Sequence, residues 1–276
     1  MELLGLRSLL VIAMLLAGRV SPVAETPQDQ AWQILQAGAG EKSFEVRAIA
    51  IAALGLVDHN PQAAAMAEKA LEDEKPEVRA AGAHALGEIL YAPSIPKLRK
   101  ALADKEDSVT TAAAHSLVLL KDPAGYEFYY SVLTDERKKG QGFISQEMEV
   151  AKDPKKIAEY SLEEGIGFLP FGGYGLAAIM FIREEERDKV SAKATAAKFL
   201  ADDPDPQSGA ALIRALSNKS WPIRMAALQA IAKRADPSLL ANIQPAMSDE
   251  KKQVRYTAAA AVIKLTEVRA VKNRRK

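Results

Sequence analysis

Apolar and polar residues follow the period of an α-helix along most of the chain. In the segment 78–89 the small and apolar residues recur at the spacings three, four, seven, eight and eleven, which places them on one helix face. They are Val78, Ala81, Gly82, Ala85, Leu86 and Ile89. This pattern predicts a helix whose apolar stripe is lined mainly by alanine and glycine, so a neighbouring helix can approach closely.

The same pattern returns at regular intervals. The string VRAAGAHALG from Val78 has counterparts at a nearly constant spacing within each half of the chain. They begin at Val46, Val109, Val190, Ile223 and Val254. A first helix, often opened by a proline such as Pro61, Pro206 or Pro237, precedes them. Each unit is therefore a helical hairpin, and because one hairpin cannot bury its stripe alone, the units must stack. We predict an all-α fold, an α-α superhelix of about seven hairpins.

The repeated string V-R-x-A-A-A-x-A-L-G, on a period near 31, resembles the short HEAT-like repeat of phycobilisome lyases. The resemblance covers residues 28–134 and 174–267 and implies a HEAT/armadillo-like solenoid. Some proteins with this repeat are enzymes. Deoxyhypusine hydroxylase carries adjacent His-Glu pairs that hold a di-iron centre, and bilin lyases attach a pigment. The two residues after the repeated arginine would be the His-Glu pairs, but here they are Ala80-Ala81, Thr111-Ala112, Met225-Ala226 and Tyr256-Thr257.

The N-terminal segment 1–24 has the pattern of a secretory signal. Arg7 precedes an uncharged apolar run over residues 8–18, and small residues up to Ala24 offer a cleavage site. The run is too short for a membrane-spanning helix, which needs about 20 residues. We therefore expect a signal peptide at 1–24 and a secreted or periplasmic protein.

The middle of the chain departs from the repeat. Val109 and Val190 lie much further apart than the other neighbouring counterparts, which leaves room for an insertion at 135–172 within the fourth hairpin. The expected domains are repeats at 25–134, this insertion, repeats at 173–267 and a basic tail at 268–276, which we expect to be frayed. Ten of the sixteen aromatic residues lie between positions 126 and 181, and residues 165–182 contain no charge. The candidate binding residues are Phe168, Pro170, Phe171, Tyr174, Tyr126, Tyr129 and Tyr130.

Three interpretations of this aromatic segment remain open. It could fold into the groove of the solenoid as core, receive a partner protein on an exposed apolar patch, or touch a membrane surface. The excess of acidic over basic side chains in residues 135–189 disfavours contact with anionic lipid.

Charge and composition limit the remaining functions. The chain has 37 Lys and Arg against 36 Asp and Glu, for a net charge of +1, which is not typical of a nucleic-acid-binding protein. It has no cysteine, which excludes disulfides, thiolate metal sites and cysteine nucleophiles. His84 and His115 occupy the same repeat position, and Glu88 lies one turn from His84. Such a set could in principle bind zinc, but ordinary flank histidines are the favoured interpretation. We expect no cofactor and no metal.

A second set of polar residues repeats with the helices. The arginines at the start of the second helices have an Asp or Asn six residues earlier in most repeats, which offers a partner and a helix cap. We expect a structural ladder formed by Arg47, Arg79, Arg224, Arg255, Asp73, Asp104 and Asp249. Thr110 and Ser191 interrupt it.

Together these patterns predict an exported, non-enzymatic scaffold for protein–protein interaction in the cell envelope, with a protein partner that the sequence does not identify. Nucleic acid is not expected as a partner, and membrane contact is disfavoured. The alternatives are an enzyme of the bilin-lyase or deoxyhypusine-hydroxylase (oxidoreductase) kind, or membrane-surface binding through residues 165–182.

Overall fold

The computed structural model describes the backbone of residues 25–134 and 184–275, and the side chains of these residues except 184–191. The predicted signal peptide and the predicted insertion at 135–172 lie outside the described residues. Twelve α-helices and no strand are found in the described residues, and they form the all-α solenoid that the repeat pattern predicts. We call residues 25–134 the N-terminal array and residues 184–275 the C-terminal array.

The N-terminal array contains seven helices, α1 to α7. They are Pro27–Ala39, Phe44–Ala53, Pro61–Ala70, Pro76–Ile89, Ile95–Ala101, Asp107–Leu119 and Pro123–Leu133. The C-terminal array contains α8 to α12, with short 3₁₀ turns on both sides of α11. They are Glu184–Leu200, Pro206–Ala215, Trp221–Arg234, Leu240–Ile243 and Lys252–Arg274.

Polar residues that precede a proline begin several of the helices. The side chains of Asn60, Asp122 and Asp205 accept backbone N–H bonds from the first turns of α3, α7 and α9. The proline that follows each of them has no N–H to leave unpaired. Pro237 begins a 3₁₀ turn instead of an α-helix. The proline pattern therefore predicts where the first helix of each hairpin begins. It does not predict that the first helix of the last hairpin is short.

The ends of three second helices have a left-handed residue that is not glycine. His59, Leu90 and Lys121 follow one another at equal intervals along the chain with φ of 56°, 55° and 58°, and Ala235 has φ of 53° after α10. A residue in this conformation reverses the chain after a helix, a place where glycine is usual. The repeat therefore preserves the turn geometry without the residue that adopts it most easily.

Small residues let the second helices and their neighbours approach closely. A Cβ atom on Gly82 of α4 would lie 2.7 Å from the carbonyl oxygen of Ala67 and 2.9 Å from the Cβ of Ala70, both in α3. The hydroxyl of Ser116 in α6 donates to the carbonyl of Ala83 in α4 at 2.8 Å. The alanine stripes are buried in one hydrophobic core that extends through both arrays.

The order of the helices in space differs from their order in the chain. Within the N-terminal array, α2, α4, α6 and α7 pack one on the next, and within the C-terminal array α8, α10 and α12 do the same. The two arrays meet where α12 packs against α1 and α2. The stack therefore runs from α8 through α12 to α1 and ends at α7, so the two ends of the stack are the helices that flank residues 135–183.

We call the contact of α12 with α1 and α2 the array junction. A Cβ atom on Gly38 of α1 would lie 2.7 Å from the Tyr256 ring, which is itself buried. At the other end of the contact, Asp58 pairs with Lys264, and the Asn60 amide donates to the Glu267 carboxylate. Small, aromatic and charged residues thus join helices that lie about two hundred positions apart in the chain.

The basic C-terminal segment is not frayed, in contrast to the prediction made from its charge. Helix α12 continues through Arg274, and its last residues are exposed on this continuous helix. Lys272 and Arg274 stand in the last turn, where positive side chains interact favourably with the helix dipole. The favourable charge position explains why a basic segment continues the helix.

Candidate protein-binding surface

The last helix of the N-terminal array has an apolar face that the described residues do not cover. Tyr126, Tyr129, Tyr130 and Leu133 of α7 are exposed at 49%, 37%, 68% and 83%. Their spacing of three, four and seven residues places them on one side of the helix. We call these four residues the tyrosine stripe.

The opposite side of α7 is fixed on α6. A Cβ atom on Gly125 would lie 2.7 Å from the carbonyl oxygen of Ala114 and 2.7 Å from the amide nitrogen of Val118, so the two helices are in near contact there. Asp122 caps α7 by accepting from the amide of Ala124 at 3.1 Å. The same carboxylate accepts two bonds from Arg99 of the preceding hairpin, at 3.0 and 2.7 Å. These contacts hold α7 in an orientation that presents the tyrosine stripe outward.

Only part of the predicted binding surface lies among the described residues. Tyr126, Tyr129 and Tyr130 lie together on α7 and are exposed. The other predicted binding residues, Phe168, Pro170, Phe171 and Tyr174, lie outside the described residues. Leu133 was missed, although its position seven residues after Tyr126 already indicated the same helix face.

The other end of the stack also has an exposed apolar residue. Phe199 of α8 is 74% exposed, and Ala192, Thr195 and Ala196 are exposed on the same side of the helix. In a solenoid the outer helix of a terminal hairpin usually has a polar face. Both ends of this stack therefore expose a large aromatic side chain.

The repeated arginines and aspartates form a ladder that links successive hairpins. Arg79 donates from Nε and Nη2 to the two carboxylate oxygens of Asp104, each at 2.8 Å. Its Nη1 donates to the carbonyls of Asp73 and Glu74, which close the turn of its own hairpin. The pairs that share this geometry are Arg47 with Asp73 and Arg224 with Asp249. Each arginine thus joins its own turn to that of the following hairpin.

The expected partner and cap of each ladder arginine were partly wrong. The aspartate six residues earlier gives Arg79 only a backbone carbonyl, because its carboxylate already pairs with Arg47. Arg255 likewise donates to the carbonyl of Asp249. The aspartates do not occupy the N-cap position; Asp73 accepts from the amide of the N-cap residue, Lys75, at 2.9 Å. Thr110, which replaces the arginine in the third hairpin, is buried and donates to the carbonyl of Asp107.

Burial and pairing act in opposite directions on the ladder carboxylates. Burial raises the pKa of Asp104, but the bonds from Arg79 and from the amide of Glu106 outweigh it and hold the pKa below its usual value. The pKa values of Asp73 and Asp249 are lowered in the same way, against the effect of burial, by Arg47 and Arg224 and by one amide each. These three aspartates are therefore ionised at neutral pH.

The two histidines at the shared repeat position are neighbours. The rings of His84 and His115 lie edge to face with centroids 6.3 Å apart, and His84 Nδ1 is 3.9 Å from a carboxylate oxygen of Glu88. Burial lowers the pKa of His115, and nearby His84 lowers it further, so His115 is neutral at pH 7. Among residues 25–134 and 192–275, no group of three His, Cys, Asp or Glu side chains is placed to hold a metal ion.

Comparison with known proteins gives a family match that covers more than half of the chain. The family model for HEAT repeats matches residues 33–118 and 181–264. No curated protein sequence matches the chain. In the part of the chain that the structure describes, none of the helices has the length and hydropathy to cross a membrane.

The solved structures that match this chain have low identity and low TM-scores to it. Human deoxyhypusine hydroxylase in complex with glycerol is 18% identical, with 87% of this chain and 97% of that chain covered and a TM-score of 0.33. The complex of CpcE and CpcF of phycocyanin lyase from Nostoc sp. PCC7120 is 18% identical, with 90% and 94% covered and a TM-score of 0.33. An engineered protein is 14% identical, with 86% and 97% covered and a TM-score of 0.29. Values at this level assign neither an activity nor a site to the chain.

Proposed function

This chain belongs to the HEAT-repeat family, and from that premise we propose that it is a protein-binding scaffold with the tyrosine stripe as its docking surface. The exposure of the tyrosine stripe is the observation that carries the proposal. Elsewhere in the N-terminal array the apolar stripe of a second helix is covered by the next helix. On α7, the first helix of the fourth hairpin, large aromatic residues remain exposed, whereas the earlier first helices α3 and α5 expose polar residues such as Lys69 and Lys97.

The occupant that fits the tyrosine stripe is an amphipathic helix of a partner protein. Residues at the spacing of Tyr126, Tyr129 and Leu133 present one continuous ridge, and a helix with small residues on its apolar face offers a groove that receives such a ridge. Tyrosine supplies a large apolar area with few rotatable bonds and a hydroxyl that can reach the polar rim, which is why it is frequent at binding hot spots.

We propose that the aromatic segment between the arrays contributes to binding of the same partner. Phe168, Pro170, Phe171 and Tyr174 follow α7 in the chain within a run of eighteen residues that carry no charge. Their apolar, aromatic composition matches that of the tyrosine stripe. We assign the chain a binding rather than a catalytic role, because the positions that carry His-Glu pairs in deoxyhypusine hydroxylase, such as Ala80 and Ala81, have neither His nor Glu here.

We place this scaffold outside the cytoplasm, in the cell envelope. The supporting observation is the order of Arg7, the apolar run at 8–18 and the small residues up to Ala24. Fractionation of cells that express the full chain should place it in the envelope fraction. A chain without residues 1–24 should remain in the cytoplasm, and an unchanged distribution would contradict export.

The docking surface is tested with the full-length chain and a matched pair of variants. Tyr130→Ser with Leu133→Ser removes the two most exposed members of the tyrosine stripe, and Val271→Ser removes an exposed apolar side chain on α12 as a control. A partner captured by the wild-type chain, then purified, should bind the stripe variant at least tenfold more weakly, because such anchors contribute more than about 1 kcal/mol each. The control should bind as the wild-type chain does.

The melting temperature separates binding from packing. Both variants should melt near the temperature of the wild-type chain, since the three side chains are exposed. A large decrease in the melting temperature of the stripe variant, with partner affinity unchanged, would show that the tyrosine stripe is covered by the chain itself and would refute the proposal.

A further inference from the structure

The array junction is an interface between two parts of the chain that the sequence holds far apart. We propose that the surface formed by α1 and α2 is a docking site for the C-terminal array of the same chain, which recognises it through α12 and remains bound without the covalent connection. The proposal is independent of the partner-binding surface, because α7 lies at the opposite end of the N-terminal array from α1.

The apolar part of the junction has a closely fitting shape. Gly38 has no side chain, and the Tyr256 ring occupies the space that a Cβ atom would need. Ala31 and Leu35 of α1 are completely buried, as are the alanines of α12 from Ala258 to Ala261. Tyr256 replaces the small residue that Ala48 and Ala80 provide at the same repeat position. The junction therefore uses a large residue where the ordinary hairpin contacts use a small one.

The polar part of the junction provides charge complementarity. Lys264 of α12 pairs with Asp58, which follows α2, and the Lys264 side chain is only 15% exposed. The Asn60 amide donates to the Glu267 carboxylate one turn further along α12. Partly buried pairs of this kind select one register, because a shift of one helical turn would leave buried charges without a partner.

The length of the connecting chain allows the docking to occur within one molecule. Residues 135–183 leave the N-terminal array at α7 and enter the C-terminal array at α8, which are the two ends of the stack. Six helix-to-helix steps of about 8–10 Å separate these ends by roughly 60 Å at most. A connection of this length has an extended reach of roughly 160 Å. Because the connection is long enough to span the two ends, the two arrays of one chain stay near each other, which favours pairing in one chain over pairing with a second copy.

The test begins with a cleavable form of the full chain. A recognition site for a sequence-specific protease is inserted between residues 134 and 184, and the folded protein is cut. Size-exclusion chromatography with mass detection should show both fragments together, at the mass of one intact chain. Dilution to the low micromolar range should leave the complex intact, with the helical circular dichroism unchanged.

Charge reversal tests whether recognition is specific. After cleavage, Lys264→Glu should weaken the association of the two fragments at least tenfold, because the new carboxylate faces Asp58 and lies one turn from Glu267. Asp58→Lys together with Lys264→Glu should restore most of the affinity. Asp202→Lys, which reverses the charge of an exposed member of the Lys233 pair in the C-terminal array, is the matched control and should have no effect.

Each other outcome would overturn the proposal. Fragments of the wild-type chain that separate or precipitate after cleavage would show that the covalent connection holds the arrays together. A complex with the mass of two chains would show that a second copy is the occupant. If Lys264→Glu alone loses helicity before cleavage, Asp58→Asn replaces it, and fragments of this variant that associate as tightly as the wild type would refute recognition through the ion pair.

Discussion

Arg79 lies six residues after Asp73, but its guanidinium pairs with Asp104 of the next hairpin, and both of its bonds to that carboxylate are 2.8 Å long. Asp73 meanwhile accepts the equivalent pair of bonds from Arg47. Asp73 and Asp249 therefore each connect three groups: the arginine of the preceding hairpin, the amide of the N-cap residue two positions later and, through their own carbonyl, the arginine of their own hairpin. The ladder couples hairpins that the alanine stripes alone would hold only by apolar contact.

Removing a ladder arginine should destabilise the protein much more than removing an exposed lysine. Arg79 is only 8% exposed, and Arg79→Ala leaves the Asp104 carboxylate without its charged partner, at a cost of about 3 kcal/mol. Lys233→Ala removes an exposed pair with Asp202 and should cost about 0.5 kcal/mol or less. Urea denaturation of the two variants measures the free energy of unfolding. Equal losses would contradict a structural role of the ladder.

The helices and the ladder residues were predictable because both depend on local spacing. The repeat period identifies Val78 and its counterparts, and the Arg and Asp positions repeat with it. The partner of Arg79 was not predictable from spacing alone, since Asp73 and Asp104 lie at comparable repeat positions on either side of it. Which of the two aspartates pairs with Arg79 depends on the direction in which the hairpins stack.

The array junction could not be predicted from the repeat pattern. It joins residues such as Asn60 and Glu267, whose contact depends on where the whole C-terminal array docks rather than on any local period. One signal was present in the sequence, because Tyr256 stands where the other repeats have Ala48, Ala80, Thr111 or Met225. A large aromatic residue at a position otherwise filled by smaller side chains indicates a contact that the other repeats do not make.

Glycine to alanine substitutions should have opposite effects at two helical positions. Gly82→Ala would place a Cβ atom 2.7 Å from a backbone carbonyl oxygen of α3, so the hairpin must open and about 1–3 kcal/mol should be lost. Gly209→Ala in α9 places its Cβ no closer than 3.5 Å from any neighbour and should stabilise the protein by up to about 1 kcal/mol. Thermal melting of both variants checks this, and a loss of stability in Gly209→Ala would contradict the open space at that position.

A glycine at the end of α10 should stabilise the protein. Ala235 has φ of 53°, a conformation that costs a residue with a side chain about 1–2 kcal/mol and glycine almost nothing. Because glycine also has more freedom in the unfolded chain, the net gain of Ala235→Gly should be about 0.5–1 kcal/mol. Ala65→Gly, at an exposed position within α3, is the matched control and should cost about 1 kcal/mol. Destabilisation by both substitutions in urea denaturation would contradict the left-handed turn at Ala235.

Glu267 makes the stability of the array junction depend on pH. Burial raises the pKa of its carboxyl group and nearby Asp58 adds to this rise, while the bond from Asn60 and the charge of Lys264 oppose it. The folded protein therefore binds the Glu267 proton more tightly than the unfolded chain, whose ordinary pKa is 4.5. The contribution of Glu267 to the free energy of unfolding is fully present below pH 4.5. It is lost as the pH rises through the higher pKa that Glu267 has in the folded state.

Glu267→Gln should therefore raise the melting temperature at pH 7, because glutamine is neutral and can still accept the Asn60 bond. The difference between the variant and the wild-type chain should shrink as the pH falls toward 4.5, because the raised pKa lets the folded protein take up the Glu267 proton as the pH falls. The ladder aspartates have lowered pKa values and destabilise both proteins equally at still lower pH, so they do not affect the difference. Melting curves of both proteins from pH 4.5 to 8 measure this difference in melting temperature. A variant that is less stable than the wild-type chain at pH 7 would show that the ionised carboxylate stabilises the array junction, contrary to the effect of burial.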